Sequence, residues 1–244
     1  MQYLPSVRTV AGELERTFST ILQSEVKLSS AGRTDSGVHA TGQVVSWKTE
    51  TTFPFERLPI AANSALPQDV SIRSVAVVDD GFSARFSAVE RTYVYVIYNS
   101  REPSALLARY AHRVWTPIDL ERFRAGAQHL IGEHDFRSLC GRLPDSGPTI
   151  RTLKALGVQR KDDLVRIEIR ADGFLHHMVR TVVGTLVECG TGRRDPASIP
   201  QMLAARDRSA AGLTAPPHGL YLAGVRYPDG FDSFAEPPVT SAFV

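Results

Sequence analysis

Apolar residues recur at Val10, Leu14, Phe18, Ile21 and Leu22, the three-to-four spacing of a helix with one buried stripe. Segments 43–47, 69–78 and 91–98 are rich in β-branched and aromatic residues and predict strands. Asp119 is placed to cap a helix with apolar positions Leu120, Phe123, Ala127, Leu130 and Ile131, and Gly132 reads as its stop. Segments 150–158 and 164–171 predict two strands around Lys161, Asp162 and Asp163. A longer helix is expected over 174–188, ending at Gly190, and a short one over 198–205. A last strand over 220–227 precedes a proline-containing tail.

Strands alternate with helices, but hairpin-like strand pairs occur among them. That mixture predicts an α+β protein whose mixed or antiparallel sheet has helices packed on one face. Two similar halves of split β-α-β type fit the same order of elements.

Composition narrows the function only a little. The chain has 244 residues and a net charge of +2, which leaves nucleic-acid binding undecided. Its cations are mostly arginine, with lysine only at 27, 48, 154 and 161. Arginine suits bidentate phosphate contacts and stacking on bases. No apolar run approaches the roughly 18 residues of a membrane span, and the first residues lack the basic-then-apolar pattern of a secretion signal. The expectation is a cytoplasmic protein. Cys140 and Cys189 are far apart and belong to no Cys-x-x-Cys pair, so two reduced, partly buried thiols are expected.

The segment with the most chemistry is Gly32-Arg33-Thr34-Asp35-Ser36-Gly37-Val38-His39, between the first predicted helix and a strand. Its glycines allow tight backbone conformations. An arginine two positions from an aspartate favours the ionised carboxylate. Such a group can act as a nucleophile or base, or simply cap a turn.

This loop, extended from Ala31 to Val44, resembles the signature of tRNA pseudouridine synthases of the A type, the TruA family. Further similar blocks follow in order: Asn63 to Val70, Phe82 to Ala88 with Arg91 to Tyr95, Gly132 to Phe136, Phe174 to Arg180, and Gly219 to Leu222. The resemblance implies a pseudouridine-synthase fold, an α+β arrangement of two ferredoxin-like halves whose mixed, mainly antiparallel sheet carries packed helices. Residues 1–100 would form the half with the aspartate loop, and residues 101–244 the half that completes the cleft.

The resemblance also implies a reaction, the isomerisation of uridine to pseudouridine at positions 38–40 in the anticodon arm of tRNA, by a homodimer with no cofactor. Asp35 matches the catalytic aspartate, whether it attacks C1′ of the sugar, attacks C6 of the base or removes a proton from C2′. Tyr93 matches the active-site tyrosine, Arg180 the arginine paired with the carboxylate, and Leu220 an apolar wall of the uridine pocket. Arg33 would orient the site or contact RNA. Tyr93 and Tyr95 share one face of an alternating strand, so one of them can be core. His177 and Arg180 share a face of the predicted helix. His176 and His177, adjacent on that helix, would diverge by about 100°, so no metal is expected. Arg85, Arg91, Arg109 and Arg137 are candidate RNA contacts.

One departure stands out. The family's opening strand and its Tyr-Asp-Gly and Gly-Trp-Gln segments have no counterpart before Thr9. Either the natural protein is longer, or this is a truncated homologue that binds RNA with impaired catalysis.

Overall fold

The structure, a computed structural model, describes residues 7–144, 147–228 and 230–239. The chain forms two compact units. Met1–Asp35 and Gln43–Ala88 make the first, and Ser36–Gly42 and Val89–Val244 the second. This partition is not the division at residue 100 expected from the family halves. The expectation about the chain's opening falls largely on residues 1–6, which lie outside those described.

In the first unit, helix α1 (Val10–Leu22) starts where the Thr9 hydroxyl accepts a hydrogen bond from the Gly12 amide, 3.1 Å away. This offsets one of the donors that every helix start leaves unpaired. The helix ends at Gln23 in a left-handed conformation, φ 50°. Its stripe of Leu14, Phe18 and Leu22 is buried with Val26, Leu58 and Ala62. The Trp47 ring stacks on Phe18 at 4.7 Å. Strand β1 (Ser29–Ser30) pairs antiparallel with β3 (Val45–Ser46). The chain between them carries the signature loop, including β2 (His39–Ala40), which belongs to the second unit.

Two expectations fail in the first unit. Helix α2 (Leu58–Ala65) forms where none was predicted, with Pro59 in its opening turn and Leu58 and Ala62 buried one turn apart. The strand expected over 69–78 does not form. Its apolar residues Val70, Ile72 and Val75 pack on the core instead. The Asn63 side chain takes both backbone groups of Ile72, accepting from its amide at 2.7 Å and donating to its carbonyl at 2.8 Å. β-Branched composition reports fit to a packed surface, and a side chain here replaces the ladder.

The second unit is built on β4 (Glu90–Tyr98), β5 (His112–Arg113), β6 (Gly132–Asp135), β7 (Ile150–Lys161), β8 (Leu164–Ala171), β9 (Leu220–Arg226) and β10 (Ser233–Phe234). The strand order β10-β9-β4-β8-β7-β6 is antiparallel throughout, while β2 and β5 add short parallel pairings to β9 and β4. The mixed, mainly antiparallel sheet read from the sequence is therefore present. Alternation along the strands buries both faces. Tyr95, Ile97, Ile167, Ile169 and Leu222 lie fully buried on one face. On the other, Val94, Val96, Tyr221 and Ala223 pack with Ala111, Leu107 and Val239.

Helix α3 (Leu120–Gln128) is capped by Asp119, whose carboxylate accepts from the amides of Glu121 and Arg122. It stops before Leu130 and Ile131, and Gly132, at φ +108°, opens β6 rather than ending the helix. Helices α4 (Met178–Gly190) and α5 (Ile199–Ala205) follow. Helix α4 begins four residues later than predicted, because His177 takes a left-handed conformation at φ 60° and ends the preceding turn. Cys140 and Cys189 are free and buried, and burial pushes the Cys189 thiol up to about 11. Among the described residues no helix is long and apolar enough to cross a membrane.

Candidate active site

The signature loop leaves the first unit through a closed neck. The Ala31 amide donates to the Val44 carbonyl at 2.9 Å, extending the β1–β3 pair by one rung. The Gln43 side chain donates to the Gly32 carbonyl at 2.8 Å. Past this neck Arg33 is exposed and Asp35 is half-buried. Asp35 is the last residue of this segment of the first unit.

From Ser36 to Gly42 the loop belongs to the second unit. Strand β2 lies parallel to β9, with His39 opposite Tyr221 and Ala40 opposite Leu222. The amides of Thr41 and Gly42 both donate to the Leu222 carbonyl at 3.0 Å. Gly42 has no room for a side chain, since a Cβ there would sit 2.0 Å from the Ala223 carbonyl oxygen. Gly37 holds φ +80°, a conformation that favours glycine. The positive-φ role expected of the motif's glycines thus falls on Gly37.

Three of the other candidates gather on the sheet and α4. Tyr93 lies between Leu222 of β9 and Ile169 of β8, and its ring meets Phe174 edge-on at 5.0 Å. It keeps 8% of its surface exposed, whereas Tyr95 is fully buried and donates its hydroxyl to the Pro216 carbonyl at 2.8 Å. Both tyrosines are therefore buried, Tyr95 the more completely. Burial pushes its phenol well above the usual range, and the nearby Arg180 charge opposes this more weakly. Leu220 is opposite Tyr95 on β9 and nearly buried. Arg180, in the first turn of α4, donates from Nε to the Ala215 carbonyl at 2.7 Å and accepts the Ala215 amide at its own carbonyl.

The polar side of α4 is not solvated. It grips an extended strap, residues 212–216. Thr185 accepts the Gly212 amide at 3.0 Å, Glu188 accepts the Leu213 amide at 3.2 Å, and the hydroxyls of Thr181 and Thr214 lie 3.4 Å apart. Gly184 permits this closeness, since a Cβ there would fall 1.7 Å from the Leu213 carbonyl oxygen. The sequence reading missed Thr181, Gly184, Thr185 and Glu188. Their three-and-four spacing along a helix was visible, but their partner strap carries no pattern of its own.

His177 does not join Arg180 on a helical face, because it precedes the helix. Its ring stacks on that of His176 at 3.7 Å, and both residues lie by Gly141, whose amide donates to the His176 carbonyl. The divergence argument used for these two rings therefore does not apply. Among the other arginines, Arg91 donates to the Asp172 carbonyl, and Arg85 lies 5.2 Å over the exposed Phe86 ring.

Known proteins resemble this chain over most of its length. A family model described as tRNA pseudouridine synthase matches residues 127–228. The tRNA pseudouridine synthase A of Bacillus subtilis (strain 168) is 41% identical over 228 residues, 93% of this chain and 92% of that protein. The protein of that name from Methylococcus capsulatus is 44% identical over 230 residues, covering 94% and 85%. That from Salmonella paratyphi B is 41% identical over 238 residues, covering 98% and 88%. Identity at this level across nearly the whole of both chains shows that this chain belongs to the tRNA pseudouridine synthase A family, a family of isomerases.

Proposed function

We propose that this chain converts uridine to pseudouridine in the anticodon arm of tRNA, at positions 38–40, with Asp35 as its catalytic carboxylate and without a cofactor. The glycosidic bond between C1′ and N1 breaks, the base rotates, and a bond forms between C1′ and C5. The proton on C5 is then lost and N1 gains one, so the product is an isomer. The observation that carries this reading is the intact signature loop, with its closed neck at Ala31 and Val44 and its docked arm at His39 and Ala40.

In this reading Asp35 serves as nucleophile or base. Tyr93 stacks on the target base, and its hydroxyl manages the C5 proton. Tyr95, whose hydroxyl is bonded to the Pro216 carbonyl, is not available for that role. Leu220 supplies an apolar wall. Arg180 balances the carboxylate charge, and Arg33 orients the site or contacts RNA.

A stacked uridine must be turned out before any carboxylate can reach it, at a cost of a few kcal/mol. Phosphate contacts and stacking on exposed rings offset that cost. Arg85 with Phe86 in the first unit, and Arg109, Arg113 and Trp115 in the second, are exposed groups of the right chemistry. Arg91 and Arg137 are further candidates. We also propose that the enzyme works as a homodimer in the cytoplasm. The halves 1–100 and 101–244 are retained as the division that frames its cleft.

The test is tritium release from C5-labelled uridine in unmodified tRNA, comparing this chain with Asp35→Asn. Release by the wild type alone supports the reading. Release by both removes Asp35 from the chemistry. Release by neither, with tRNA still bound, favours an RNA-binding homologue without catalysis. Sequencing of the modified tRNA locates the product, and light scattering reports the oligomer.

A further inference from the structure

We propose that His39 is a positioning residue, the pin that holds the downstream arm of the catalytic loop. The inference rests on the reading of Asp35 as the catalytic carboxylate, four residues upstream.

The arm from Ser36 to Gly42 is attached to β9 by a parallel pairing only two residues long, and at its far end by the Thr41 and Gly42 amides on the Leu222 carbonyl. A pairing that short is weak by itself, since parallel rungs are slightly less stable than antiparallel ones and so few are made. Near Asp35 side chains add to it. The His39 ring stacks on Tyr221, its partner in the register, with centroids 4.8 Å apart and planes 22° from parallel. Its Nε2 lies 2.9 Å from the Arg109 carbonyl oxygen. A carbonyl can only accept, so Nε2 carries the proton and donates. The Tyr221 hydroxyl donates to the next carbonyl, that of Tyr110, at 2.7 Å. The Tyr110 ring lies 5.4 Å from that of His39.

The stacked pair thus ends on two consecutive carbonyls of one segment. Downstream, the Thr41 hydroxyl donates to the Ala235 carbonyl at 2.5 Å, and the Ser233 hydroxyl to the Gly42 carbonyl at 2.8 Å. Those bonds hold the far end of the arm. His39 is the side chain that fixes the end nearer Asp35.

The choice of residue follows from the two contacts. A flat ring is needed to lie on Tyr221, and a donor at its far edge is needed to reach the Arg109 carbonyl. Phenylalanine supplies the first and asparagine the second, whereas the imidazole supplies both. A packing role alone would be satisfied by phenylalanine.

The experiment is single-turnover pseudouridine formation with saturating enzyme, alongside tRNA affinity and thermal melting. It uses the full chain and the variants His39→Ala, His39→Phe and His39→Asn, with Asp35→Asn in parallel. His39→Ala is expected to lower the chemical rate by roughly 10- to 100-fold, the size of effect expected when a catalytic group is slightly misplaced. Its tRNA affinity is expected to stay within about twofold, because His39 makes no contact that the reading assigns to RNA. The Phe and Asn variants are each expected to recover part of the rate. A wild-type rate in His39→Ala overturns the proposal, as does a rate loss matched by an equal loss of affinity. Should His39→Ala fail to fold, wild-type rates in both conservative variants would overturn it equally. Full activity in Asp35→Asn would remove its premise, and that outcome is separate from any result at His39.

Discussion

Arg180 and Tyr95 end on adjacent carbonyls of the same strap: Nε of Arg180 on Ala215 at 2.7 Å, and the Tyr95 hydroxyl on Pro216 at 2.8 Å. One residue is on a helix and the other on a strand, and the strap between them continues through a short turn, Pro217–Gly219, into Leu220. This pairing ties the position of a proposed catalytic arginine to a buried tyrosine that does no chemistry. Tyr95→Phe removes the donor from the Pro216 carbonyl, and urea unfolding is expected to show a loss of about 1–3 kcal/mol. Arg180→Lys keeps the charge but loses the Nε donor. Its single-turnover rate is expected to fall about tenfold or more with tRNA affinity little changed. A rate equal to wild type would show that charge alone suffices.

Tyr93→Phe separates the ring from its hydroxyl. The ring contact with Phe174 and the backbone pairing with Leu222 and Ile169 survive, so folding and RNA binding are expected to be retained. Turnover is expected to stall, by roughly 10²–10⁴-fold if the hydroxyl moves the C5 proton. Tritium release measured against product formation is the check, and normal release removes the hydroxyl from the mechanism.

Gly184→Ala tests the grip of α4 on the strap. The new Cβ would sit 1.7 Å from a backbone oxygen, and backbone cannot swing aside as a side chain would. A loss of about 1–3 kcal/mol or more is expected in chemical denaturation. Activity is expected to fall in the fraction that stays folded, because Ala215 and Pro216 move with the strap. An unchanged midpoint would show that the strap is held elsewhere.

Stability is expected to depend on pH through His112. Burial, and then the charge of nearby His218, lower its pKa from 6.5 to about 4. Between these values the unfolded chain binds a proton that the folded one refuses, so stability rises with pH across that window. It is lost progressively as pH falls from about 6.5 towards 4. His112→Gln, which cannot titrate, is expected to flatten melting temperature over the same window. His218 is lowered for the same first reason and leaves a smaller residual slope.

The periodic elements were legible in the residues alone. The stripe from Val10 to Leu22, the Asp119 cap and the alternation through 91–98 and 164–171 each encode a local rule that needs no partner. The reading failed where a partner decides. Val70, Ile72 and Val75 have strand composition, yet Asn63 takes the hydrogen bonds a neighbouring strand would have made. His177 looked helical by pattern, but its left-handed conformation starts the helix only at Met178.

For the proposed site, the sequence by itself named the candidates: a carboxylate bracketed by glycines, a tyrosine on a strand, an arginine at the head of a helix, and the order of motifs that marks the family. Tertiary structure decided that Tyr95 bonds to the Pro216 carbonyl, that the polar side of α4 binds a strap rather than water, and that His39 reaches the Arg109 carbonyl 70 residues away in the chain. The reason is physical. Residue type and spacing set what a group can do and which way a local element turns. Burial, and the choice of carbonyl that receives a donor, depend on which distant segments the sheet brings alongside.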